Sequence, residues 1–145
     1  MPFQLDQLSL EILADIYKKA FSDPNAANVI VFGDNSVCEI KSKYGAWPVL
    51  LSRGENEIHF QTRIRLKQLP VNVIYQTVYE LNHAFPKIKF VLVQNNPNDP
   101  RIDLSLNYQM FESQIIDSDI LVALFHVFDE SVEIVFDAIG ELIDN

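Results

Sequence analysis

Three histidines, one cysteine and an Asn–His pair are the side chains of this 145-residue chain with the most scope for chemistry. His59, His83 and His126 fall on a strand and two different helices. No two of them have i,i+4 spacing, and no cysteine pair joins them, so they lack the ligand pattern of zinc. Cys38 has Glu39 beside it and only Lys41 as a nearby base, which disfavours the thiolate a nucleophile needs. No G-x-S-x-G elbow, G-x-G-x-x-G turn or Walker A loop occurs. The stretch NNPNDPR, 95–101, holds one acid, Asp99, too few carboxylates for a calcium loop. Asn82 and His83 close a helix: a cationic imidazole there meets the negative end of the dipole, and the Asn side chain can bond nearby backbone. They read as punctuation. No catalytic, cofactor-binding or metal-binding residue is assigned, no cofactor is expected, and the chain is not expected to be an enzyme.

The remaining candidates are residues that bind. Trp47, with Tyr44, can form an aromatic anchor, since Trp and Tyr are frequent in hot spots, or can cover the sheet edge. Arg63 and Arg65 sit on one strand face, where they steer a partner or lie solvated. The last helix is the most informative element. Leu121, Leu124, Phe125, Phe128, Val132, Val135, Ile139 and Leu142 make one apolar stripe, enough to dock on a sheet. Ile120, Val127 and Ile134 recur at seven-residue steps as a second set, with Phe136 adding to the surplus. A helix that is apolar on two sides must bury both. Either the first helix covers the second side, or it serves a homodimer or a partner groove.

The elements that position these residues follow from periodicity. Residues 7–21 carry Leu8, Ile12, Ile16 and Ala20 at i+4 steps, the pattern of an amphipathic helix. SDPNAAN over 22–28 breaks it. A strand over 28–32, a tight turn over 33–36 and a strand from Val37 make a hairpin. Gly45 and Pro48 bend or interrupt that second strand, which resumes at Val49. RGENE, 53–57, is a turn. Residues 57–66 alternate, with Ile58, Phe60, Ile64 and Leu66 on one face and Glu57, His59, Gln61, Arg63 and Arg65 on the other. A sheet with one polar face is covered on one side only. Pro70 opens a helix whose Val71, Ile74, Val78, Leu81 and Phe85 form a stripe, and Pro86 ends it. KIKFVLV, 87–93, is apolar on nearly both faces and is expected at the sheet centre. Residues 102–110 alternate again, and Ser118 is the expected N-cap of a helix over 119–143.

The order is α-β-β-β-α-β-β-α. It predicts an α+β fold in which an antiparallel five-stranded sheet carries its helices on one face, as one domain over 1–145. The composition, 48% apolar and 21% charged, is that of a globular domain. The N-terminus lacks the pattern of a signal peptide, no apolar run is long enough to span a membrane, and a lone cysteine suits a reducing compartment. A cytoplasmic location and no membrane partner are expected. The net charge of −9 is uneven. From Asp117 onward there are eight acids and no Lys or Arg. Such a surface repels phosphate backbones, so no nucleic-acid partner is expected.

The stretch YELNHAFPKIKFVLV, with Leu81-Asn82 near the helix end, precedes a loop, an alternating strand and a long apolar C-terminal helix. In this arrangement the chain resembles the YbjN-domain family. The family's members are described as bacterial sensory transduction regulators, with the fold of type III secretion chaperones. The likeness runs from the first helix to the last. Trp47-Pro48 and the Arg63/Arg65 pair depart from the family pattern. The resemblance implies a non-enzymatic cytosolic protein, often dimeric, that acts through a protein partner, and it transfers no catalytic residue. The resulting expectation is a protein-binding or chaperone-like regulator with two partners, a second copy of itself and an unidentified protein. The candidate interface is Ile120, Val127, Ile134, Phe136, Trp47, Arg63 and Arg65. An acidic immunity or toxin-neutralising protein is the competing class.

Overall fold

A computed structural model of the chain describes residues 2–21, 29–32, 37–45, 47–93, 98–111 and 113–144. The expected break over 22–28, the tight turn over 33–36 and the start of the loop after residue 93 lie outside the described residues.

The main sheet has six strands, not five. They are β2 (Val29–Phe32), β3 (Val37–Lys41), β4 (Pro48–Arg53), β5 (Glu57–Arg65), β6 (Lys89–Val93) and β7 (Arg101–Gln109), ordered β2-β3-β4-β5-β7-β6 and antiparallel throughout. The extra strand comes from the segment around Gly45 and Pro48. It is a full reversal, pairing Ile40 with Val49 and Lys41 with Pro48. β1 (Pro2–Gln4) and β8 (Ile115–Asp117) add a separate two-stranded sheet. Each is three residues long, too short to show a period.

β6 is an edge strand, not the central one. Its apolar character does not reflect burial on both faces: Val91 is exposed while Phe90 is buried. α2 (Val71–Ala84) packs against β6 and supplies the cover for the buried side. The Asn82 side chain finishes the strand: its Nδ2 donates to the Phe90 carbonyl at 2.9 Å, and its Oδ1 accepts from the Phe90 N–H at 2.9 Å. One amide thus satisfies both edge groups of that residue and blunts the open edge. The Asn82 punctuation is real, and it belongs to the strand as well as to the helix, where Nδ2 also reaches the Val78 carbonyl at 3.2 Å.

Cross-strand register sets the core. Cys38, Leu51, Phe60 and Leu106 form one buried row, and buried Ile64 and Ile102 with partly buried Leu92 form another. α1 (Leu10–Ala20) begins later than its period suggests because Ser9 caps it, its Oγ accepting from the Ile12 N–H at 3.2 Å. α3 (Ser118–Ala138) takes Asp117, not Ser118, as its N-cap. It stops at Ala138, short of the expected 143, and a 3-10 turn over Gly140–Leu142 then brings Ile143 to a bridge with Leu66. Leu121, Phe125, Phe128, Val132 and Val135 of α3 are buried. Tyr17 locks α1 to α3: its hydroxyl donates to the Leu121 carbonyl at 2.6 Å, and its ring meets Phe125 and Phe60.

Candidate functional site

The chemistry-bearing residues do not converge. His59 lies against Asn107 and Gln61 on the open sheet face, His83 stacks on Tyr79 of α2, and His126 packs edge-on to Phe21. Cys38 is buried in the core, where burial pushes its thiol up to about 11 and Glu39 adds to the rise against the lowering effect of Lys18. The buried polar side chains among the described residues are Ser42, Thr62, Thr77 and Asp129. Each is hydrogen-bonded within the chain. Buried polar groups with protein partners hold structure together, because an unpaired one costs its full desolvation.

Asp129 is the residue that the sequence reading missed. It is one of the eight acids from Asp117 onward, whose charge implies an acidic surface, yet it is 0% exposed. It sits four residues after Phe125 and three before Val132, so it lies on the buried flank of α3. Its carboxylate accepts from Ser42 Oγ at 2.6 Å, from the Lys43 N–H at 2.9 Å and from Trp47 Nε1 at 3.3 Å. These three donors come from the β3–β4 reversal, so Asp129 staples that turn onto α3. A carboxylate at an apolar-stripe position was the signal available, since a buried charge requires partners.

The same staple explains Trp47 and Phe136. Their rings stack at 4.5 Å and 13°. Gly45 permits the approach: a Cβ there would come within 2.2 Å of Trp47 Cζ3. These two candidates therefore meet each other within the chain, both half-buried, and neither projects as a free anchor. Tyr44 continues the cluster, its hydroxyl donating to Glu130 Oε1 at 3.2 Å. Its phenol is held above the ordinary range by desolvation, then by that bond and the carboxylates of Glu130, Glu133 and Asp129.

Arg63 and Arg65 lie on the opposite, open face of the sheet, away from α3. Arg63 pairs with Asp103 at 2.5 Å and Arg65 with Asp99 at 2.7 Å, and Arg101 shares Asp99 at 2.8 Å. Their charges are matched locally, as on a solvated face.

Ile120, Val127 and Ile134 are the candidates the fold leaves unsatisfied. They line the outer side of α3 at 48%, 44% and 54% exposure. α1 reaches α3 through Tyr17–Leu121 and Phe21–Phe125, on another flank, and leaves the stripe open. Among the described residues the first helix does not bury this stripe. No helix among the described residues is long and apolar enough to cross a membrane.

No protein-family model and no curated protein matches this sequence. Among solved structures, Arabidopsis thaliana MSL1, determined by cryo-EM, aligns over 94% of this chain and 58% of its own at 10% identity, with a TM-score of 0.46, too low to carry an argument. YbjN from E. coli, described as a candidate transcription regulator, aligns by its crystal structure over 95% of this chain and 97% of its own, with 12% identity and a TM-score of 0.73. A helix-covered antiparallel sheet with α3 laid across it is, in overall architecture, the YbjN fold.

Proposed function

We propose that this chain is a non-enzymatic, cytosolic protein-binding regulator that works through the outer face of α3. One observation carries the reading: Ile120, Val127 and Ile134 form a regularly spaced aliphatic stripe that the chain's own core leaves about half exposed. Aliphatic side chains gain roughly 25 cal/mol for each Å² removed from water, so a matching apolar surface is stabilised there. The buried polar side chains among the described residues are committed to internal hydrogen bonds, so the reading gives them a structural role. A second copy of the chain and an unidentified protein partner are the two candidate occupants of this face.

The test is comparative capture from extract of the source cells. The wild-type chain and a Val127→Glu/Ile134→Glu variant serve as baits, with bound proteins, the chain itself included, quantified by mass spectrometry. The reading expects specific proteins lost by tenfold or more with the variant. Equal recovery by both baits would contradict it. A toxin-neutralising role is the second reading, favoured by the carboxylates of α3. It places affinity in charge alone, so its partner would be released steeply as salt rises.

A further inference from the structure

We propose that the stripe on α3 is a docking track for a basic amphipathic helix of another protein, and not for a second copy of this chain. This rests on the reading that α3 binds protein, and it names the occupant.

The spacing describes the track. Ile120, Val127 and Ile134 recur every seven residues, so at about 1.5 Å per residue the stripe runs roughly 21 Å along one side of the helix. Such a seam suits the knobs of a facing helix. Its border on one side is acidic, because at about 100° per residue four carboxylates fall on that side. Glu130 and Asp137 follow stripe residues by three, and Asp119 and Glu133 precede stripe residues by one. Asp119, Glu130 and Asp137 are exposed and Glu133 is half-buried. None of these four forms a salt bridge with a Lys or Arg among the described residues. The Tyr44 hydroxyl bonds Glu130 and holds its carboxylate at the border.

A second α3 does not fit this pattern. In a parallel pair, Glu130 faces Glu130 and Asp137 faces Asp137 across the seam. In an antiparallel pair, Ile120 lies opposite Asp137 and Val127 opposite Glu130, which buries carboxylates against aliphatic groups. Like charges repel in the first arrangement, and charges lose water without a partner in the second. A helix with Leu or Ile at the seam and Lys or Arg at its borders resolves both. Its apolar knobs cover the stripe, its cations meet the carboxylates, and its long stems lie over the small Ala123 and Ala138.

The probe is a synthetic three-heptad peptide with Leu at the seam and Lys at the borders, labelled and titrated by fluorescence anisotropy against the full chain. Its comparators are the same peptide with Glu for each Lys, and a scrambled peptide of identical composition. Val127→Ser/Ile134→Ser keeps every charge, and Glu130→Gln/Asp137→Asn keeps the stripe. The proposal expects binding of the Lys peptide alone, weakened about tenfold by either variant, and a chain that sediments as a monomer at micromolar concentration. Equal binding of the scrambled peptide, or indifference to the Ser variant, would show that charge alone holds the peptide and would overturn the proposal. So would a dimer that the Ser variant dissociates. If α3-dependent capture from extract succeeds and the Lys peptide fails to compete, the basic helix is refuted while protein binding at α3 stands. If capture ignores α3, the underlying reading fails instead.

Discussion

At the scale of single residues, Asp129 has the most to lose. Three donors converge on its buried carboxylate from one turn. Asp129→Ala leaves them without an acceptor, and the expected loss in urea denaturation is about 3 kcal/mol, with Asp129→Asn costing about half as much. Trp47 is the chain's single tryptophan, so its emission should shift to the red in the Ala variant as the stack on Phe136 loosens. Asn82→Ala should expose the Phe90 N–H to exchange and lower stability by about 1–2 kcal/mol. Alkaline pH tests the core. Burial raises the Cys38 thiol from 9.0 to about 11 and raises the Tyr17 phenol above its ordinary value of 10.0. The unfolded chain ionises first at both groups. Stability is therefore fully present below about pH 9 and falls as pH rises from there through 11. The urea midpoint followed against pH checks this, and Cys38→Ala should remove the earliest part of the fall.

At the scale of elements, the two sides of α3 make opposite predictions. Phe128 is fully buried, and Phe128→Ala should cost about 3–5 kcal/mol through the cavity it leaves. Val127 is its neighbour in sequence and nearly half exposed, so Val127→Ser should change stability by less than about 1 kcal/mol while affecting binding. Paired denaturation curves measure both. This division was legible in the sequence because helix period separates Phe125, Phe128 and Val132 from Ile120, Val127 and Ile134. The alternation in β5 and β7 likewise revealed which face is open. Other features were not local. The reversal at Gly45 looked like a bend because its cause, the Asp129 carboxylate, lies 87 residues away from Ser42. β6 looked central because composition reports apolar content, whereas its edge position depends on which strands pair and on Asn82 satisfying the edge backbone.

At the scale of the whole molecule, the unbalanced acids and the aliphatic stripe of α3 lie on one side. On the open sheet face Arg63 pairs with Asp103, Arg65 and Arg101 share Asp99, and Arg65 also reaches Asp144, so three arginines meet three carboxylates and the face presents little net field. The helix layer carries the unbalanced acids of α3 beside its exposed aliphatic stripe. A partner that brings an apolar face and positive charge meets both an aliphatic stripe and carboxylates on the α3 side. The separation into two candidate groups, Ile120, Val127 and Ile134 on the helix side and Arg63 and Arg65 on the open sheet face, was legible in the chain, because the alternation of β5 puts both arginines on its polar face and a sheet with one polar face is covered on the other. The central claim is that the α3 side is where protein binds. The most direct measurement places a photo-activatable phenylalanine at Val127 or at Gln61 of the open face in otherwise native chains, irradiates the source cells and compares adducts. The account predicts a discrete protein adduct from position 127 and none from position 61. An adduct from position 61 with none from 127 would contradict it.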